Sequence, residues 1–267
     1  MVGQESLVRI FDVHIAENSI PRTVLLSGDW GAGKHTFVKE FASKIGYDII
    51  DITDCISLEK IQEAQLSPYP NIYVINCDEI SVKEQNMLLK FLEEPLKNAY
   101  IFLLSSCKQK LLSTVVNRCR VYSFSNYSRE ELKKFLSNDC EFSDLVLQYA
   151  STPGWVLKLQ ESGLKDIIDL SEKIFKKITV ANYSNALTIP DKISLTKTDT
   201  GKMDFNTFCY VLINMCRDLY CKGDISFGMF NLTREFYNNT FIPNINKRHL
   251  VENYIVNLKQ EAESGAK

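Results

Sequence analysis

Residues 28–36 read Gly-Asp-Trp-Gly-Ala-Gly-Lys-His-Thr. Gly28, Gly33 and Lys34 meet the phosphate-loop pattern GxxxxGK, after which a Ser or Thr should reach magnesium. Gly31 adds a further glycine. Such glycines let the backbone wrap so that its N–H groups face phosphate oxygens. Lys34 would reach the β- and γ-phosphates, and the following helix N-terminus would add its dipole. The pattern then fails at His35, which offers no hydroxyl. Thr36 comes one residue too late and points elsewhere on the helix. Imidazole is a poor substitute, because magnesium prefers oxygen ligands. The loop predicts a nucleotide-binding fold in which ATP and Mg²⁺ are doubtful ligands.

A second group follows the apolar run Asn71-Ile-Tyr-Val-Ile75, which continues as Asn76-Cys77-Asp78-Glu79. A P-loop ATPase needs an acid after this strand to hold Mg²⁺, then a glutamate to activate water. If the acid position directly follows Ile75, Asn76 and Cys77 replace acid and base. If the strand runs two residues further, Asp78 and Glu79 serve. The first register suits the strand length and the downstream helix better, and leaves Asp78 and Glu79 in a solvated turn.

These residues need a scaffold. Thr23–Ser27 reads as a buried parallel strand entering the glycine loop, and His35–Ile45 as the helix leaving it, with Phe37, Phe41, Ala42 and Ile45 on one face. That order argues against a chance glycine-rich turn. Before it, Leu7, Ile10, Phe11 and His14 mark one face of a helix over 5–17. Further strands are expected at 48–51, 71–75, 100–104 and 120–124, with helices at 81–92 and 110–117. This alternation predicts an α/β domain with a mostly parallel sheet over 1–125. Ser128 and Glu131 have capping-box spacing and open a small helical unit over 126–165. Residues 166–267 read as wholly helical, with Asp199–Lys202 as an inter-helix loop. There Phe205, Phe208, Val211, Leu212 and Met215 form an apolar stripe suited to a core or to an oligomer interface.

Composition excludes several classes. The 267 residues suit two or three small domains. A net charge of −2 provides no global basic field for nucleic acid, so DNA contacts would be local or supplied by partners. Eight cysteines include no CxxC pair, so no structural zinc or other metal is expected, and reduced thiols in a cytoplasmic protein are. No apolar run is long enough to span a membrane.

The residues also carry a resemblance. Gln85-Asn-Met-Leu-Leu-Lys-Phe-Leu-Glu-Glu-Pro95 is similar to the QNxLLKxLEEP helix of AAA+ clamp-loader subunits. Leu103–Cys107, with Ser105 and Ser106, resembles the sensor-1 strand. Asn117-Arg118-Cys119 resembles the "SRC" motif, and Val2-Gly-Gln4 the segment that approaches adenine. Ser151-Thr-Pro-Gly-Trp-Val-Leu-Lys158 resembles the start of the sensor-2 helix. The matches are collinear over about residues 2–160, and the helical tail suits a collar. The nearest likeness is to delta-prime subunits of bacterial DNA polymerase III.

The resemblance implies a RecA-like AAA+ domain, a helical lid and a helical oligomerisation collar. It implies a stator within a hetero-oligomeric ring of motor and delta subunits that places a sliding clamp on primed DNA. His35, Asn76, and Trp155 in place of the sensor-2 arginine fit a subunit that does not hydrolyse ATP. The family's zinc module is missing, since residues 52–70 are too short and lack its cysteine set. Arg118 would act in trans as an arginine finger on a neighbour's ATP. The plainer alternative is a surface arginine that caps its helix or pairs with a carboxylate. Nearby Arg120 heads a strand and should face solvent. A different class also stays open: an autonomous AAA+ ATPase or ATP-binding sensor using Lys34, Thr36 and Asp78/Glu79.

Overall fold

Short runs rich in Val, Ile and Leu, each followed by helical periodicity, become a parallel sheet because both faces can be covered by helices. A computed structural model describes residues 2–53, 56, 59, 63–64, 67, 69–78, 80–93, 99–140, 142–178, 193–194, 203–240 and 245–264. They fall into two compact units. The first is Met1–Phe135 with Ser151–Trp155, the second Leu136–Ala150 with Val156–Lys267.

In the first unit α1 (Glu5–Ala16) precedes β1 (Thr23–Ser27), α2 (Lys34–Ile45) and β2 (Asp48–Asp51). Then come β3 (Asn71–Asn76), α3 (Val82–Glu93), β4 (Ala99–Ser105), α4 (Ser113–Val116), β5 (Arg120–Ser123) and α5 (Arg129–Lys133). The strand order is β2-β3-β4-β1-β5, and every pairing is parallel. β1 therefore sits between β4 and β5, and its C-terminal end carries the glycine loop. Successive side chains alternate between two cores. Leu25 faces Ile75, Phe91 and Leu103, whereas Val24 and Leu26 face Phe11, Phe37, Phe41 and Phe102. Phe11 of α1 meets Phe37 of α2 edge-on at 4.9 Å.

Two expectations need correcting here. Ile10 does not join the buried face of α1: it is 44% exposed, and Leu7 and Phe11 fill that core. The helix expected over 110–117 forms only over its second half, Ser113–Val116. A 3₁₀ turn at Lys108–Lys110 gives way to extended Leu111 and Leu112 before α4 begins. Buried Gln85 caps the start of α4 from outside: its Oε1 accepts the Leu112 N–H at 2.9 Å, an amide that a first helical turn leaves without a partner.

The second unit contains α6 (Ser143–Tyr149) and most of α7 (Pro153–Glu161), which starts in the first. It continues with α8 (Leu164–Ile178), β6 (Ile193–Ser194), β7 (Met203–Asp204), α9 (Phe205–Lys222), α10 (Phe227–Asn239) and α11 (Lys247–Ser264). The stripe Phe205, Phe208, Val211, Leu212 and Met215 is buried. Thr233 Oγ1 accepts from Cys216 Sγ and lies 2.9 Å from Tyr254 Oη, tying α9, α10 and α11 together. The tail is not wholly helical. β6 and β7 make a two-residue parallel ladder, and Asp204, which ends β7, caps α9 by accepting the Thr207 N–H at 2.9 Å. The expected loop Asp199–Lys202 lies outside the described residues. Among those described, no helix is long and apolar enough to cross a membrane.

Candidate functional site

The glycine loop leaves β1 and enters α2 with Gly31 (φ 75°) and Gly33 (φ 92°) in the left-handed region that favours glycine. Gly28 N–H donates to the Ser105 carbonyl at 3.1 Å and anchors the loop to β4. Lys34 is folded back into its own loop. Its ammonium donates to the Gly28 carbonyl at 2.5 Å and the Asp29 carbonyl at 2.9 Å. The side chain is only 9% exposed. Burial lowers its pKa, against the pull of the Asp78 and Asp29 carboxylates. The cation that would greet phosphate is thus engaged, with two anions beside it.

The segment 151–155 lies across the same loop. Gly154 N–H donates to the Gly31 carbonyl at 3.0 Å, and Thr152 Oγ1 donates to the Trp30 carbonyl at 2.8 Å. A Cβ on Gly154 would stand 2.5 Å from Gly31 Cα, so two backbones touch where neither residue has a side chain. Trp155 is buried with its ring centroid 4.8 Å from that of Trp30. An indole therefore stands where the resemblance expects a sensor-2 cation. Tyr127 Oη donates to the Ala32 carbonyl at 2.6 Å. Gln4 pairs both ways with the Ser125 backbone at 2.9 Å, bringing the N-terminal segment to the same corner. The cavity lined by Gly28, Asp29, Ser125, Tyr127 and Thr152 holds about 80 Å³. Ligand pockets usually hold about 300 Å³ or more.

On the metal side, β3 ends on Asn76, whose N–H donates to Thr53 Oγ1 at 2.8 Å. Thr53 in turn donates to Asp51 Oδ1 through its hydroxyl at 2.7 Å and its N–H at 3.0 Å. His35 Nε2 lies 3.4 Å from the other Asp51 oxygen. Burial pushes the Asp51 carboxyl up, but the Thr53 bonds and His35 outweigh it and hold it below the usual range. Thr36 is exposed on α2. Cys77 is buried, and desolvation pushes its thiol far up, so it is no base. Asp78 accepts the Ser106 N–H at 2.9 Å and the Ser105 hydroxyl at 3.3 Å, which makes it a brace between the ends of β3 and β4. Glu79 lies outside the described residues. With His35 at the hydroxyl position and Asn76 ending the strand, this donor set does not fit Mg²⁺.

Arg118 sits just beyond α4. Its guanidinium donates to the Thr114 carbonyl at 2.8 Å and pairs with Glu93 at the end of α3. The side chain stays 34% exposed, and its backbone carbonyl accepts from Thr23 Oγ1 at 2.6 Å. Arg120 heads β5 and is exposed. The topology brings together the loop, Asp78, Ser105, Ser106 and Trp155, and sets Arg118 apart at the opposite end of β1, where it touches Thr23. Sequence reasoning passed over Asp51, Thr53, Glu93 and Thr152. Only Thr152 and Glu93 lay inside motifs already singled out.

The five-stranded parallel sheet with its glycine loop and helical C-terminal region is a RecA-like AAA+ architecture. RuvB from Thermotoga maritima, described as a Holliday junction branch migration motor, superposes with a TM-score of 0.53 at 13% identity, over 94% of this chain and 88% of that one. A mutant of the same RuvB gives 0.54 at 14% identity, over 95% of this chain and 89% of that one. Residues 47–128 match the family described as "DNA polymerase III, delta subunit". The delta-prime subunit of DNA polymerase III from Bacillus subtilis is 34% identical over 67 residues, 25% of this chain and 20% of that subunit. Its Haemophilus influenzae counterpart is 34% identical over 82 residues, 30% of this chain and 24% of that subunit. The aligned part thus spans about a fifth to a quarter of these relatives. Through it, the chain resembles a clamp-loader subunit of the delta-prime kind.

Proposed function

We propose that this chain is a delta-prime-like stator of a clamp loader. It joins motor and delta subunits in a hetero-oligomeric ring that loads a sliding clamp on primed DNA in the cytoplasm. Its own ATP site is degenerate, and Arg118 acts on the ATP of an adjacent motor subunit. Residues 1–125 form the AAA+ domain, 126–165 the lid and 166–267 the collar. The observation that carries the reading is the match over 47–128, which contains Asn76, α3 and Arg118 but not the glycine loop. The geometry of that loop supports the same reading, since Lys34 is bound to its own carbonyls and the magnesium positions hold His35 and Asn76.

Affinity purification of the tagged chain from its source, with mass spectrometry of what accompanies it, tests membership. Motor and delta subunits should be recovered. Arg118→Ala in the assembled loader should then lower ATP turnover by about tenfold or more, the finger being worth about 10³ or more in related phosphoryl transfers. A chain that comes down alone, and that hydrolyses ATP until Lys34→Ala abolishes turnover, would instead be the autonomous ATPase.

A further inference from the structure

We infer that Glu93 is a positioning residue for Arg118, setting the guanidinium that meets the neighbour's phosphate; this rests on the stator reading. Glu93 is the last residue of α3, and Arg118 follows α4. Two ties fix the arginine: one guanidinium nitrogen donates to the Thr114 carbonyl at 2.8 Å, and the other pairs with Glu93. Together they set the plane of the group from two directions. A guanidinium has five N–H donors, so one carboxylate and one carbonyl leave capacity for phosphate oxygens. Arginine suits this shared duty because its planar fork is pre-organised and always charged.

The pair is not explained as a stabilising bridge. Glu93 is 51% exposed and Arg118 34%, and ion pairs this open to water add little to folding. Its consequence is orientation. An unrestrained arginine would have to lose the freedom of its long side chain at the moment of phosphoryl transfer, whereas here that freedom is already spent. The Thr114 tie alone leaves the guanidinium able to swing about one bond, so the carboxylate supplies the second fixed point.

Steady-state ATP hydrolysis by the assembled loader tests this with four variants. Arg118→Ala reports on the finger itself. Glu93→Ala should lower kcat about tenfold with KM for ATP within about twofold, because the motor's own pocket still binds nucleotide. Glu93→Gln, which keeps size but not charge, should fall in between. Glu93→Asp should restore most of the rate, which lost folding would not explain, and thermal melting of the Glu93→Ala chain should match the unmodified one. If Arg118→Ala slows the loader but Glu93→Ala leaves kcat unchanged or raises it, Glu93 does not position the finger and the inference is overturned while the stator reading stands. If Arg118→Ala itself has no effect, the finger reading fails and takes the inference with it.

Discussion

Asp51 ties together the corner where His35 and the end of β3 meet. Its carboxylate holds Thr53 by two hydrogen bonds, and Thr53 holds the N–H of Asn76 at the end of β3. Opposite lies His35, with Nε2 3.4 Å from the other Asp51 oxygen. This network has a pH signature. Burial opposes the carboxylate, but the Thr53 bonds and His35 prevail, so the folded-state pKa lies below the ordinary value of 3.8. A carboxyl lowered on folding contributes stability that is fully present above the unfolded value and is lost as pH falls through the folded one. Asp51 is 47% exposed, so solvent screens these bonds and Asp51→Ala should cost at most about 1 kcal/mol near neutral pH, the scale of one net hydrogen bond. The gap from the unmodified chain should close below about pH 3.8, as urea denaturation at a series of pH values would read directly.

Between elements, the decisive event is the approach of the loop after β1 to the start of α7. Gly31 and Gly154 meet backbone to backbone, with one hydrogen bond and a Trp30–Trp155 contact beside them. Gly154→Ala would place a methyl 2.5 Å from Gly31 Cα, against backbone that cannot swing away. The expected cost is about 2 kcal/mol, within the range for overpacking. Hydrogen exchange should rise at residues 28–36 and 151–155 together, and a rise confined to one of them would show that the two segments are not coupled. This contact was not legible in the sequence, although both glycines sat in motifs that were. Periodicity and glycine placement mark β1, the loop and α2, since these depend on neighbours along the chain. Which loop meets which helix depends on the strand order β2-β3-β4-β1-β5, which no local pattern encodes. The same reason hid the pairing of Glu93 with Arg118. It also bears on the helix expected over 110–117, which starts only at Ser113, where the Gln85 side chain from another element meets the Leu112 N–H.

At the scale of the whole chain, the question is whether nucleotide has any foothold. A ligand that binds only the folded state stabilises it, by about 2.7 kcal/mol at a hundredfold excess over Kd. To bind here, phosphate would have to draw Lys34 off two carbonyls and approach Asp29 and Asp78, all without a fitted magnesium site. Thermal unfolding of the purified chain should therefore be unmoved by Mg-ATP, Mg-ADP or ATP with a chelator, up to millimolar concentration. A shift that needs magnesium would point to Asp78 as a metal ligand and favour the autonomous ATPase. A shift independent of magnesium would mean that Lys34 leaves its loop to meet phosphate, so that the site is weak but open. An unmoved transition, in a chain whose Arg118 still governs turnover in the ring, would show a AAA+ subunit that has kept the residue it lends and given up the site it would have used itself.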